Sequence, residues 1–331
     1  MESLVLKITD LEAGYVTKGG DFKAVDRVSF NLKKGEFLGI AGESGCGKST
    51  LAYAILNLLE DNGKIFSGSI HFKEKDLVQL SEKELTQIRW RDISMVFQSA
   101  MNALNPVLTI EDQLVDVILA HHKKLAPKKA VERAAEMLEL VDITADRLKA
   151  YPHQLSGGMK QRVMIAMALM LEPEIIIMDE PTTALDVVVQ RTIIEKIADL
   201  RNIFNFSVIF ITHDLSLLVE ISDTLAIMYS GEIIEYGPAD QVYSAPIHPY
   251  TKGLMDSFPP LTGELIEFGG IAGKPPDFLK LPSGCRFHPR CSKKMPICVS
   301  TVPDFEEIKT DHSASCFLSK PGSNQPTTDL K

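Results

Sequence analysis

The stretch Glu36–Thr50, "EFLGIAGESGCGKST", decides the fold. Its first half is a short, almost wholly apolar run, the pattern of a strand buried on both faces. Its second half, Gly42 to Thr50, matches G-x-x-x-x-G-K-[ST] and leads into an apolar helical pattern. Glycines between a strand and a helix let successive backbone N–H groups turn inward around phosphate oxygens, and a helix beginning near Lys48 presents its positive end to them. Gly42, Ser44, Gly45, Cys46, Gly47, Lys48, Ser49 and Thr50 are therefore the candidate phosphate contacts. Lys48 is expected to reach the β- and γ-phosphates and Ser49 to ligate Mg²⁺. Cys46 reads as a loop filler, not a metal ligand.

Outward from this loop, "EIIIMDE" (174–180) and "SVIFITHD" (207–214) repeat the pattern of an apolar run ending in polar residues. Such runs alternating with helical segments predict an α/β fold, a mainly parallel sheet covered by helices. In open α/β sheets ligands sit at the carboxyl ends of the strands, so the three polar ends are expected to meet. Asp179, at the end of a buried strand, is costly unless paired or facing a metal, which suits a Mg²⁺ partner. Glu180 beside it is placed to polarise an attacking water. In "LSGGMKQR" (155–162), Ser156 can cap the following helix, and Gly157 and Gly158 expose N–H groups, a second anion site.

Residues 99–150 change character. Ala130, Val131, Ala134, Met137, Leu138 and Val141 lie on one face of a helix, with the lysines around them as a solvated face, so this segment reads as a helical insert. A second change comes at "APIHPY" (245–250): 12 of the 18 prolines lie from Pro246 onward. Residues 246–320 are expected to form an irregular extension that packing alone holds poorly, and 321–331 a disordered tail.

Phosphate loop, "LSGGMKQR", "IIIMDEP" and "ITHD", in this order, resemble an ABC-type ATPase over about residues 4–245. The resemblance implies a P-loop NTPase core, RecA-like with an N-terminal antiparallel β part, formed by residues 1–98 and 151–245. It also implies a head-to-tail dimer in which Ser156 and Gly158 of one subunit meet the γ-phosphate held by Lys48 of the other. In the same way Tyr15 resembles the aromatic that stacks on adenine, Gln98 in "VFQS" the residue linking Mg²⁺ and water to the membrane partner, Asp186 the contact across the dimer, and His213 the γ-phosphate switch. Met159 departs from the family's usual Gln or Glu at that position.

"ALNP" (103–106), "PTTALDVVVQ", "HPYTKGL" (248–254) and "GCRFHPRC" are together similar to the dipeptide/oligopeptide branch of ABC importers. That similarity implies a second ATPase subunit, identical or not, two transmembrane permease subunits gripped by the 99–150 insert, and an extracytoplasmic substrate-binding protein. Oligosaccharides or nickel are the alternative cargoes. A soluble, non-transport ABC ATPase and a module that binds ATP without hydrolysing it are the other readings; one cassette without sustained heptads and an intact Glu180 and His213 disfavour them.

Four of the five cysteines, Cys285, Cys291, Cys298 and Cys316, fall within 32 residues. In a reducing compartment such a cluster points to metal or redox chemistry more than to disulfides. The gaps lack the C-x₂-C pairs of zinc ribbons. Four thiolates in an irregular loop suit a [4Fe–4S] cluster, with Zn²⁺ or uncoordinated thiols as alternatives; the branch similarity points to the cluster. Arg286, Arg290, Lys293 and Lys294 would then offset its charge or form a solvated basic loop.

Composition narrows the rest. The 331 residues carry a formal charge of −9 with 45% hydrophobic and 24% charged residues, a globular composition without the basic excess that nucleic acid requires. "MESLVLKITD" lacks the basic start of a secretory signal, and the longest apolar run, 163–171, is half the roughly 20 residues a spanning helix needs. The expectation is a chain peripheral to the membrane at its cytoplasmic face.

Overall fold

The computed structural model describes residues 3–98, 103–182, 186–257 and 270–319. The expected tail at 321–331 and the start of the insert at 99–102 lie outside these. In chain order the strands are β1 (Leu4–Thr17), β2 (Gly20–Lys33), β3 (Phe37–Ala41), β4 (Gly63–Phe72), β5 (Lys75–Asp76), β6 (Ile93–Val96), β7 (Ile175–Asp179), β8 (Ser207–Ile211), β9 (Thr224–Tyr229), β10 (Glu232–Pro238), β11 (Glu306–Lys309) and β12 (His312–Ala314). The helices are α1 (Lys48–Ile55), α2 (Glu82–Ile88), α3 (Ile110–His121), α4 (Pro127–Leu140), α5 (Gly157–Leu169), α6 (Val187–Phe204), α7 (Leu215–Ile221), α8 (Ala239–Ser244), α9 (Pro249–Met255) and α10 (Pro296–Ser300).

The chain forms two compact units. The first comprises Met1–Val5, Leu32–Glu36 and Gln79–Ile211. Its parallel strands run in the order β8-β7-β6, with Ile175 opposite both Ser207 and Ile93. Ile175, Ile176, Ile177, Val208, Ile209 and Phe210 are all fully buried. Burial of side chains of this size stabilises by roughly 1.5–3 kcal/mol each. The insert folds as helices: a reciprocal cap between Thr109 and Asp112 starts α3, and Pro127 at the first turn starts α4. Ala130, Ala134, Met137 and Leu138 form the buried face of α4, with Val141 buried just after it, while Lys128 and Lys129 are exposed. The α5 residues Val163 to Leu169 are buried on every side, as an all-round apolar helix must be.

The second unit comprises Leu6–Asn31, Phe37–Val78 and Thr212–Lys331. It holds an antiparallel sheet in the order β2-β1-β4-β5 and strands in the order β11-β12-β10-β9-β3. Of the latter, only β3 and β9 are parallel; β9-β10, β10-β12 and β12-β11 are antiparallel. The parallel pairing expected of the nucleotide-binding strands is present, β3 with β9 here and β6, β7 and β8 with one another in the first unit, and the antiparallel strands are added for a local reason. Ser230 and Gly231, both with positive φ, make a two-residue hairpin between β9 and β10, and such a turn joins only antiparallel strands.

Much of the described extension runs without regular structure, yet it is firmly attached. Its β11-β12 hairpin joins β10 edge to edge, with Glu235 opposite Ala314. Tyr250 is fully buried and Phe287 nearly so, their rings 5.4 Å apart and each near Tyr229, at 4.6 and 5.3 Å. At its centre the buried Glu235 carboxylate accepts from His312 Nε2 at 2.8 Å and from the N–H groups of Ile247 and His248 at 2.7 and 2.9 Å. Aromatic packing and a satisfied buried carboxylate therefore hold this segment.

Candidate nucleotide site

In the second unit, the phosphate loop leaves β3 and enters α1 with Gly42, Gly45 and Gly47 at φ 156°, 77° and 111°. A side chain cannot replace Gly47: a Cβ there would lie 2.0 Å from the Ala24 carbonyl oxygen. Lys48 is 5% exposed, and its Nζ donates to Gly42 O at 2.7 Å and Glu43 O at 3.0 Å. A buried ammonium held by neutral groups is suited to receive an anion, which would offset its charge. Cys46, also buried, sits with its Sγ 3.7 Å from Lys48 Nζ; burial raises its thiol pKa and Lys48 opposes the rise. The thiol fills the loop, as expected.

Ser44 and Gly45 are exposed, Ser49 is half-buried and Thr50 buried. Tyr15 on β1 places its hydroxyl 3.3 Å from Thr50 Oγ1, with its ring 5.6 Å from Phe22 and Phe22 stacked on Phe278. The candidate adenine contact thus stands on the side chain that ends the phosphate-loop motif. His213 is exposed, between Thr212 and Asp214, the cap of α7.

In the first unit, Asp179 is fully buried at the end of β7. Glu180 follows at φ 43°, a left-handed conformation that non-glycine residues seldom adopt and that clusters at functional sites. Its N–H donates to Ile211 O at 2.8 Å, and its Oε2 accepts from Gln98 Nε2 at 3.1 Å. Two of the predicted catalytic residues, 82 positions apart, therefore meet. Ser156 caps α5, accepting from Met159 N at 3.3 Å, and Asp186 caps α6, accepting from Val189 N at 3.0 Å. Gly158 faces the same residue: a Cβ there would lie 2.9 Å from Val189 Cγ1. Gly158 and the candidate dimer contact Asp186 thus converge on the first turn of α6; Gly157 and Met159 are half-buried.

Cys285, Cys291, Cys298 and Cys316 line a single small cavity of about 10 Å³ together with His248 and Phe287. Burial, then the charges the thiols would place on one another, pushes Cys285 and Cys316 up to about 11. Among the described residues, however, no group of three or more His, Cys, Asp or Glu is set to hold a metal ion. The arrangement of the thiols does not by itself show a metal site. The expected role of two arginines fails. Arg286 pairs with Asp26, and Arg290, 5% exposed, with Glu43; both charges are consumed by carboxylates distant in sequence. Sequence reasoning passed over Glu43, since nothing local marks a partner 247 positions away.

Comparison with known proteins agrees with this geometry. The ABC transporter family pattern matches residues 25–183 and the oligopeptide/dipeptide transporter C-terminal region matches residues 234–298. The chain is 46% identical to the dipeptide transport ATP-binding protein DppD of Bacillus subtilis, over 95% of this chain and 94% of that protein. It is 43% identical to the oligopeptide transport ATP-binding protein OppD of Salmonella typhimurium, over 95% and 94%. Among solved structures, the dimeric ATP-binding cassette MJ0796 bound to ADP and Pi is similar with a TM-score of 0.64 and 30% identity, covering 71% of this chain and 98% of that one. The chain belongs to the ABC transporter family, among the dipeptide and oligopeptide transport ATP-binding proteins.

Proposed function

We propose that this chain binds and hydrolyses ATP to energise uptake of dipeptides or oligopeptides through partner membrane subunits. The observation that carries the reading is Lys48, buried at the mouth of the glycine loop with its Nζ held by two backbone carbonyls at 2.7 and 3.0 Å. Relatives 43–46% identical along nearly the whole chain are named for peptide transport. Among the described residues no helix is long and apolar enough to cross a membrane. In this reading the spanning subunits are other polypeptides, with this chain peripheral at their cytoplasmic face and an extracytoplasmic protein delivering the cargo.

Tyr15 holds the adenine, and the N–H groups from Gly42 to Thr50 and the Lys48 ammonium hold the phosphates. Ser49, Gln98 and Asp179 would hold Mg²⁺, which when bound neutralises charge on the β- and γ-phosphates. Glu180 accepts a proton from the water that attacks the γ-phosphorus as the bond to the β-bridging oxygen breaks. Gln98 orients that carboxylate, His213 stabilises the transferring group, and Ser156, Gly157 and Gly158 of a second subunit close over the γ-phosphate while Asp186 contacts across the dimer. The test is phosphate release by the assembled transporter with and without peptide-loaded binding protein. No stimulation by peptide would overturn the cargo assignment, and no turnover at all the ATPase itself.

The cysteine cavity supports a further part of the proposal, a [4Fe–4S] cluster. A cluster spreads its four thiolate ligands around a core of several atoms instead of one point, and positive iron would reverse the mutual repulsion that raises these thiols. The cavity must widen to admit it. Iron, sulfide and zinc content of anaerobically purified chain decides: about four irons and four sulfides support the cluster, and neither iron nor sulfide removes it.

A further inference from the structure

Glu43, second residue of the phosphate loop, is held from two sides by the C-terminal extension. Arg290 Nη1 and Nη2 donate to its Oε2 and Oε1 at 2.6 and 2.9 Å, a two-pronged fork. Its backbone N–H donates to Tyr250 Oη at 2.9 Å. The guanidinium is itself fixed: Nε donates to Ala272 O at 2.9 Å, Nη2 to Ile271 O at 3.3 Å, and its carbon lies 5.8 Å from the centre of the Tyr229 ring. Glu43 in turn supplies one of the two carbonyls that hold Lys48 Nζ. A short chain of contacts thus runs from the extension to the phosphate-binding ammonium: Arg290 and Tyr250, then Glu43, then Lys48.

We propose that Arg290 is a positioning residue for the phosphate loop, through which the C-terminal extension sets the affinity for nucleotide. Two effects act together. The fork fixes the Glu43 backbone whose carbonyl aims Lys48. It also neutralises a carboxylate that would otherwise stand unpaired in the loop that receives phosphates, where like charge repels. The extension is therefore a structural part of the ATP site, and the turn Phe287–Arg290–Cys291 ties the loop to the wall of the cysteine cavity, which Phe287 and Cys291 line. The proposal rests on the ATP-binding reading above.

The test is a cycle of full-length chains: wild type, R290Q, E43Q and E43Q/R290Q, with R290K as the charge-preserving variant. Affinity for trinitrophenyl-ATP is read by fluorescence in the presence of Mg²⁺, and folding by thermal melting. R290Q is expected to weaken binding about tenfold (about 1.4 kcal/mol), R290K by less, and R290Q added to E43Q to change it by under about twofold, because the arginine acts only through Glu43. A purely structural role, through the bonds to Ile271 and Ala272, would lower the melting temperature equally with and without Glu43 and leave affinity alone. Wild-type affinity in folded R290Q, or an equal loss in both backgrounds, overturns the proposal. Failure of the wild-type chain to bind the probe would instead overturn the ATP-site reading on which it rests.

Discussion

Gln98 Nε2 donates to Glu180 Oε2 at 3.1 Å, across 82 positions of sequence. The carboxylate is further set by its backbone, which has a positive φ and an N–H bond to Ile211 O. A general base must be held in place to work, and a left-handed glutamate tied to a glutamine amide is held by both backbone and side chain. If Gln98 also touches the membrane partner, movement of that partner reaches the base through a single hydrogen bond.

Glu180→Gln should therefore keep nucleotide affinity within about twofold and lower hydrolysis by about 10² to 10⁴, the usual contribution of a positioned base. Nucleotide titration and phosphate release measured on the same preparation check it. Hydrolysis at the wild-type rate would remove Glu180 from the role. Gln98→Ala should reduce turnover less, because it orients the base without accepting the proton.

Gly47→Ala tests the loop. The added methyl meets a backbone oxygen at 2.0 Å and stands at φ 111°, so neither strain nor clash is relieved by rotating a side chain. Nucleotide affinity should fall by at least about a hundredfold, with a cost in stability of about 1–3 kcal/mol from the backbone conformation alone. Near-normal binding would mean the loop is looser than its contacts indicate.

Ser156→Ala separates two roles of one hydroxyl. Loss of the cap on α5 should cost about 1 kcal/mol in stability, read by urea denaturation. If Ser156 also contacts the nucleotide of a second subunit, turnover should fall further than stability does, and Ser156→Asp, which restores the cap, should recover the melt but not the rate. Full recovery of the rate would leave the serine as a cap alone.

His248 gives the extension a pH dependence. The ring is 2% exposed and accepts from Tyr250 N at 3.0 Å, and burial lowers its pKa from 6.5 to about 4, with Glu235 opposing. The folded state therefore binds the proton less readily than the unfolded state. Stability from this group is full above about pH 6.5, falls as pH drops below it, and is lost once pH passes below about 4. Between pH 7.5 and pH 5 the loss should be about 2 kcal/mol. Denaturant titration at the two pH values measures it, and His248→Asn, which can still cap α9, should shrink the difference; an unchanged difference would place its origin elsewhere.

What the sequence by itself determined was whatever depends on a few adjacent residues. The turn from β3 into α1 needs glycines within nine positions, β3, β7 and β8 show as unbroken apolar runs, the cap of α5 is Ser156 two places before its second glycine, and α4 carries its apolar face at helical spacing. Each is a local rule, and a local rule can be read along the chain. Tertiary structure decided the pairings between distant residues. The extension is largely irregular, and its one hairpin, β11-β12, is docked on β10, a pairing the sequence does not show because a free edge does not reveal which strand will cover it. Arg286 and Arg290 stand beside cysteines in the chain, yet they pair with Asp26 and Glu43, since a guanidinium taken out of water is stabilised by an opposite charge, and folding alone brings that carboxylate near.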